Sequence, residues 1–319
     1  MNQSSSAKAW IKAARLRTLP LTFSSIILGN ALAFTNVYPA YCDKIQYFNW
    51  GILLFSILTT LFLQILSNFA NDYGDSKKGA DNTERIGPER AIQSGEISSR
   101  AMRNAIIIFA LLSLFCGLVL LWISFSQDIG ITFIIFLLLG IGAIIAAIKY
   151  TIGKSAYGYS GLGDLFVFLF FGIVGVLGTY YLQTHEIQIN ILLPASTFGL
   201  LSVAVLNLNN MRDIENDAKV GKRTLVVMLG SKKAKYYHAS LFIWAYAALA
   251  VFLYDLGFLV KLIPMFAAPI FALHILHVYR VFRTKEPKDL DPMLKVIALS
   301  TFLLSLILSF CIYQAFGEL

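Results

Sequence analysis

Two stretches of the sequence place carboxylates and amides at four-residue intervals. The first, "SNFANDYGDSKKGADN", contains Asn71 and Asp75. The second, "NNMRDIENDAKVGKRT", places Asn209, Asp213 and Asp217 at successive steps of four. Residues four apart on a helix share a face, with Cβ atoms about 5–6 Å apart. Each stretch is therefore predicted to present a cluster of oxygen ligands on one helix face.

Carboxylates at this spacing repel one another, so a cation must compensate them. Mg²⁺ suits such a cluster, because it takes one or two protein carboxylates and completes its shell with water and phosphate oxygens. We predict Asn71, Asp75, Asp213 and Asp217 as catalytic metal ligands, with the amide oxygens of Asn71 and Asn209 orienting the ions and Asn209 also binding the substrate. Two such clusters facing each other would receive a diphosphate carried between Mg²⁺ ions.

Basic residues follow each acidic stretch and are candidates for binding the diphosphate. As its bond breaks, a diphosphate gains negative charge that metal ions, Lys and Arg stabilise. The predicted partners are Lys78 and Arg85 after the first stretch, and Lys222 and Arg223 after the second. The alternative is that these cations only mark membrane topology and that the Asp and Asn residues solvate free backbone groups at helix ends. Two ends with matching spacing, each followed by a basic loop, favour a site.

The elements that must position these residues are membrane helices. The chain of 319 residues is 57% hydrophobic and 14% charged, with a mean hydropathy of +0.70. A transmembrane helix needs about 20 mostly apolar residues. Windows of this kind occur near 17–36, 47–70, 102–124, 129–148, 161–183, 190–210, 235–254, 256–279 and 294–316. We predict an all-α, polytopic bundle of nine transmembrane helices that forms a single integral membrane domain over residues 1–319.

The basic residues indicate the orientation of this bundle. Of the 26 Lys and Arg residues, all but Lys44 and Lys261 fall in the N-terminal tail or in alternate connections. Cytoplasmic loops retain Lys and Arg, so the N-terminus and the two loops of about 71–101 and 211–234 are predicted to be cytoplasmic. Topology accounts for most of the net charge of +8, and nucleic acid is not an expected partner.

Several other features have ordinary interpretations. The polar start "MNQSSSAKAW" lacks a cleavable signal pattern, so the first apolar segment is expected to remain as a helix. The cysteines are too widely separated for a disulfide framework or a metal cluster, and we expect them to pack: Cys42, Cys116 and Cys311. The similarly scattered histidines are expected to have ordinary structural roles rather than catalytic ones: His185, His238, His274 and His277. Gly172, Gly175 and Gly178 predict close helix contact. The neighbouring phenylalanines either line a tunnel for an isoprenoid tail or face lipid: Phe166, Phe168, Phe170 and Phe171.

Five ordered segments resemble those of a known family. They are "RLRTLPLT", "LQILSNFANDYGDSKKGADN", "RIGPERAIQSGEI", "YGYSGLGDLFVFLFFG" and "NNMRDIENDAKVGKRTLVVMLG". Together with the two acidic motifs, they resemble the UbiA superfamily of nine-helix intramembrane prenyltransferases. Within it, they are most similar to the 1,4-dihydroxy-2-naphthoate polyprenyltransferases of menaquinone synthesis. The resemblance covers nearly the whole chain.

The resemblance implies a reaction and its participants. Two acidic motifs would hold Mg²⁺ and a polyprenyl diphosphate, ionisation would give an allylic cation, and a ring carbon of 1,4-dihydroxy-2-naphthoate would attack it. Eventual loss of carbon dioxide would give demethylmenaquinone. The expected location is the bacterial inner membrane, with the site facing the cytoplasm, and no obligate protein partner is implied.

The resemblance also adds residues to the expected site. Lys149, Tyr150 and Asp164 would lie near the acceptor or the diphosphate. The first motif departs from the general superfamily pattern, because Gly79 stands where a third acid is expected and the next acid is Asp81. Glycine there would let the chain leave helix geometry, so that Asp81 folds back as a further metal ligand.

Alternatives remain within and outside this enzyme class. Asp72 would either bind substrate or cap the loop that follows it. Residue chemistry alone does not name the aromatic acceptor, and 4-hydroxybenzoate and homogentisate prenyltransferases are the nearest competitors. A cation-coupled transporter also carries intramembrane acids, although its site would be expected near the bilayer midplane.

Overall fold

The computed structural model describes residues 6–34, 48–82, 85–126, 128–257 and 262–316. All regular secondary structure in these ranges is helical. The helices are α1 (Ala7–Ala14), α2 (Leu19–Phe34), α3 (Trp50–Lys77), α4 (Ser99–Phe125), α5 (Ile131–Lys149), α6 (Gly163–Thr184), α7 (Leu192–Arg212), α8 (Ile214–Lys219), α9 (Leu225–Leu256), α10 (Leu262–Arg283) and α11 (Asp291–Phe316).

Eight helical segments of the described chain are long and apolar enough to cross a membrane. The shorter apolar helix α2 precedes them. The predicted all-α membrane fold is thereby confirmed, with an apolar helix at each of the nine predicted windows. Its orientation across the membrane stays a prediction. The predictions for Cys42, Lys44 and Lys261 concern residues outside the described ranges.

Side-chain oxygens define where several helices begin. Asn49 Oδ1 accepts from the Gly51 amide at 2.9 Å at the start of α3. The Ser98 and Thr224 hydroxyls accept from amides three residues later, both at 3.2 Å, at the starts of α4 and α9. These N-cap contacts satisfy amides that have no partner inside the helix.

Close contact through glycine holds α6 against its neighbours. A Cβ on Gly172 would lie 2.6 Å from the Ala195 carbonyl oxygen, and one on Gly175 would lie 2.8 Å from Ser25 Cβ. The predicted packing role is thus confirmed for these two glycines. Gly178 has only ordinary contacts, beginning at 3.7 Å. The middle of α6, Phe168–Gly178, is wound as a π-helix.

The helix ends differ from the prediction at the second acidic stretch. Helix α7 ends at Arg212, Asp213 has non-helical backbone angles (φ −98°, ψ 12°), and α8 begins at Ile214. The predicted stripe of Asn209, Asp213 and Asp217 therefore does not lie on one continuous helix. By contrast, α3 runs through Lys77, so the first stretch keeps helical spacing as predicted.

Candidate active site

The first acidic motif occupies the last two turns of α3 and the turn that follows. Gly79 adopts φ +71°, and the Ala80 amide donates to the Asp75 carbonyl at 2.9 Å. A left-handed glycine with this bond is a common way to end a helix. The chain then turns so that the Asp81 side chain is fully enclosed (0% exposed). Glycine thus has the conformational role that the sequence predicts.

Two arginines surround Asp81. Arg85 Nε lies 3.5 Å and Arg90 Nε 3.4 Å from Asp81 Oδ1. Asp72 instead faces the backbone of the loop, accepting from the Ala91 amide at 3.2 Å and from the next amide at 3.5 Å. These contacts are those of a loop cap, one of the two alternatives for Asp72. Its role in substrate binding stays a prediction.

The second motif lies at the junction of α7 and α8. Arg212 Nε and Nη2 donate to the two oxygens of Asp213 at 3.0 and 2.6 Å. Lys222 pairs with Asp217, with Nζ 3.4 Å from Oδ1, and the Lys222 amide donates to the Asp217 carbonyl at 2.8 Å. Arg223 follows in the connection to α9.

The side chains of Asn216 and Arg85 join the two motifs. Asn216 Nδ2 donates to the Ala80 carbonyl at 2.9 Å, directly joining the two turns. Arg85, paired with Asp81, also places Nη2 3.9 Å from Asp213 Oδ2. The two helix ends therefore form one polar site.

Tyr159 gives a further link between the motifs. Its hydroxyl donates to Asp75 Oδ1 at 2.8 Å, while its carbonyl accepts from the Arg223 amide at 3.2 Å. The centroid of its ring lies 3.8 Å from Lys78 Nζ and 5.6 Å from Lys222 Nζ. Burial and the charge of Asp75 raise the pKa of Tyr159, so the hydroxyl remains a donor.

The site holds more carboxylate charge than its surroundings favour. Burial and the charge of Asp75 together raise the pKa of Asp81 to about 7, against the opposing effect of Arg85. Burial also raises the pKa of Asp217 to about 6 against the opposing effect of Lys222. For Lys222, burial acts to lower the pKa, but the charges of Asp75, Asp217 and Asp213 outweigh it and the pKa is raised. The acids of both motifs thus act on the same cation.

A cavity of about 760 Å³ extends among the helices from Asp72 and Asp75 of the first motif, while Asp81, Asp213 and Asp217 are not part of the lining that the described residues form. Asn71, Asp75, Asn209 and Lys222 line its polar end. The remaining walls are largely apolar and include Leu114, Leu118, Leu121, Phe136, Phe166, Phe170, Phe171 and Val174. The cavity is therefore amphipathic, with charged groups at one end and hydrocarbon side chains beyond them.

The oxygen atoms at the polar end fit a divalent cation shared with a ligand. Within the described ranges, no three His, Cys, Asp or Glu residues converge closely enough to hold a metal by themselves. Several buried oxygens of the described site nevertheless have no hydrogen-bond partner, namely Asn71 Oδ1, Asp217 Oδ2 and both Asp81 oxygens. Hard oxygen donors that supply only part of a coordination shell suit Mg²⁺, which takes the rest from water and phosphate.

Similarity to known proteins agrees with this geometry. The profile of the UbiA prenyltransferase family matches residues 31–307. The chain belongs to the UbiA prenyltransferase family. A 1,4-dihydroxy-2-naphthoate octaprenyltransferase of Haemophilus influenzae is 43% identical over 305 residues, which cover 95% of this chain and 94% of the relative. The protein of the same name from Escherichia coli is 42% identical over 294 residues, covering 92% and 91%.

Solved structures of the UbiA family share the fold. A UbiA homolog from Archaeoglobus fulgidus bound to GPP and Mg²⁺ superimposes with a TM-score of 0.64 at 17% identity. The match covers 95% of this chain and 99% of the other. The predicted family and its helical membrane fold are confirmed.

Other predicted residues of the UbiA-family site lie in different settings. Tyr150 lines the cavity, whereas Lys149, Asp164 and Arg223 are not part of the lining that the described residues form. Asp164 accepts from the Tyr237 hydroxyl at 2.9 Å. Phe168, unlike the other three phenylalanines, packs against the buried core. Whether these residues contact substrate stays a prediction.

Arg15 is a site residue that the sequence analysis missed. It lines the cavity in a left-handed backbone conformation (φ 51°), and its Nη2 is buried with no hydrogen-bond partner in the described chain. Burial and Arg85 lower the pKa of Arg15 to about 10, so it stays charged at neutral pH. Arg15 begins the segment "RLRTLPLT", but a basic residue in the N-terminal tail is equally explained by membrane topology, so its residue type does not assign it to the site.

Proposed function

We propose that this UbiA-family enzyme transfers a polyprenyl group from polyprenyl diphosphate to 1,4-dihydroxy-2-naphthoate, with release of diphosphate and carbon dioxide, to give the reduced (quinol) form of demethylmenaquinone. One observation carries the proposal: two acidic motifs meet at the charged end of a cavity whose other walls are hydrocarbon. Such a cavity matches a substrate with a diphosphate head and an isoprenoid tail. The acceptor is inferred from relatives that carry this name and are 42–43% identical over more than nine-tenths of the chain.

The charged end provides groups that bind and activate the diphosphate. Mg²⁺, held by Asp75, Asp81, Asp213, Asp217 and Asn71, would neutralise the phosphate oxygens and favour departure of the leaving group. The cations of the same end then stabilise the charge that develops on the bridging oxygen as the carbon–oxygen bond breaks. Arg85 and Lys222 line the cavity, and Lys78 and Arg223, which lie outside its lining, are proposed to contribute as well.

The apolar walls protect the other product of ionisation. An allylic cation is captured by water unless water is excluded, and the apolar side chains beyond the charged end give water no hydrogen-bond partners there. An electron-rich ring carbon of the naphthoate then attacks the cation, and the carboxylate eventually leaves as carbon dioxide. The buried, unpaired Nη2 of Arg15 gives the site a further donor for an anionic group of either substrate.

The same proposal includes the location of the enzyme. The chain is a multi-pass membrane protein with eight described spans and a shorter apolar helix. We place it in the cell's cytoplasmic (inner) membrane as one domain over residues 1–319. Its Lys and Arg residues accumulate in alternate connections, which orients those connections toward the cytoplasm. The site then faces the cytoplasm, where the loops of about 71–101 and 211–234 lie.

Product analysis tests this function. Purified protein would be incubated with Mg²⁺, a polyprenyl diphosphate and separate aromatic acids: 1,4-dihydroxy-2-naphthoate, 4-hydroxybenzoate and homogentisate. Mass spectrometry should find a prenylated, decarboxylated product with the naphthoate alone, and none with Asp213→Ala. Product with only another acid would refute the acceptor. Substrate accumulation in proteoliposomes without Mg²⁺ or product would instead indicate a transporter.

A further inference from the structure

Arg212 connects the second acidic motif to the last helix of the bundle. It is 1% exposed, among the most enclosed large side chains of the described chain. Besides its two bonds to Asp213, Nη2 donates to Asn209 Oδ1 at 2.9 Å and Nη1 to Asp291 Oδ1 at 2.5 Å. A guanidinium presents its donors in a rigid plane. Arg212 therefore fixes three acceptors from α7, its end and α11 relative to one another.

Burial of the Arg212 charge destabilises the fold unless each donor of its guanidinium has a partner. An enclosed guanidinium is stabilised only where charged partners and hydrogen bonds replace its water. Asp213 supplies one such partner, and Asp291, the first residue of α11, supplies the other. Removal of Asp291 would leave one side of Arg212 without its partner, although the side chain of Asp291 is itself 35% exposed.

We propose that Arg212 is a positioning residue that orients Asp213 and Asn209 toward the metal-bound diphosphate, and that Asp291 anchors it. This inference rests on the proposed function. A carboxylate offers about four lone-pair sites, and Arg212 occupies two of those on Asp213, so others remain for a ligand. Partners that orient metal ligands in this way strongly affect metal binding. The start of α11, which also places Leu294 and Lys295 in the cavity wall, thus belongs to the active site.

The test compares Asp291→Ala with a matched control, Asp255→Ala. Asp255 lies near the C-terminal end of α9, whereas the second acidic motif precedes the N-terminal end of that helix. Its side chain accepts from Asn190 Nδ2 at 2.6 Å. Mn²⁺ binding would be measured by electron paramagnetic resonance with a short prenyl diphosphate present. The Mg²⁺ dependence of turnover and the unfolding temperature would be measured alongside. We expect Asp291→Ala to raise the half-saturating metal concentration about tenfold and Arg212→Gln about hundredfold.

The split between parameters separates positioning from stability. Asp291→Glu should recover metal binding and Arg212→Lys should be intermediate, whereas the control Asp255→Ala should keep the metal dependence and turnover of wild type. Wild-type metal dependence in both Asp291→Ala and Arg212→Lys would overturn the inference. A lower unfolding temperature in these variants without any change in their metal dependence would overturn it as well. Asp291→Ala decides the question if Arg212→Gln does not fold. Absence of metal-dependent diphosphate binding in wild type would refute the proposed function itself.

Discussion

Removal of the Tyr159 hydroxyl should weaken binding of the magnesium diphosphate. The hydroxyl donates to Asp75 Oδ1 at 2.8 Å, and Asp75 is only 5% exposed. Loss of a hydrogen-bond partner that orients a metal ligand typically lowers metal affinity about tenfold to hundredfold, which corresponds to about 1.4–2.7 kcal/mol. Because water in the cavity can replace the hydroxyl, we expect the lower end for Tyr159→Phe, about tenfold. Phenylalanine keeps an aromatic face for Lys78, so the loss reports on the hydroxyl alone.

Isothermal titration calorimetry with a short prenyl diphosphate and Mg²⁺ measures this loss. Tyr246→Phe is a matched control, because that hydroxyl also has a 2.8 Å contact, to His274 Nδ1 inside the bundle. The control should bind as wild type does. In an Asp75→Asn background, Tyr159→Phe should add little, since the two residues act through one contact. Wild-type affinity in Tyr159→Phe, or an undiminished loss in the double variant, would refute the proposed role of Tyr159.

Three further outcomes are expected. Asp75→Asn should lower turnover at least about hundredfold while membrane insertion stays normal, as checked by product formation and detergent-extracted yield; near-normal turnover would contradict the metal assignment. Burial raises the pKa of Asp81 to about 7 and of Asp217 to about 6, so between about pH 4 and 7 the metal-free protein binds more protons than its unfolded chain. Its unfolding temperature should fall as pH rises through this range and recover with Mg²⁺; a flat thermal profile would count against this. Gly172→Ala should destabilise the protein by about 1–3 kcal/mol in thermal unfolding, because its Cβ would meet backbone at 2.6 Å, whereas Gly140→Ala, with open space around it, should not.

Sequence patterns predict much of this fold because the bilayer imposes simple rules. Apolar length identifies the membrane helices, and the four-residue spacing in α3 correctly predicts a shared face for Asn71 and Asp75. The same rule was wrong for the second stretch. There the helix breaks at Asp213, where the Arg212 side chain turns back onto the neighbouring carboxylate. A local spacing rule contains no information about that tertiary contact.

Residues from distant parts of the chain could not be assigned by spacing. Tyr159 and Asp291 reach the acids only because the helices pack as they do. The histidines show the same limit. His238 and His277 are 2.9 Å apart through their Nε2 atoms, and His274 contacts Ser300 Oγ at 2.7 Å, which makes a buried interhelical network from residues scattered along the chain. The ordinary structural role predicted for these three histidines agrees with their burial.

The central claim is that both acidic motifs hold one diphosphate through divalent metal. It is tested most directly by calorimetry of prenyl diphosphate binding to wild type, Asp75→Asn, Asp217→Asn and the double variant, each with Mg²⁺ and with a chelator. We predict tight binding only in wild type with Mg²⁺, and single losses that do not add in the double variant, because the two acids serve the same ligand. Equal affinity in the chelator, or fully additive losses, would contradict the claim.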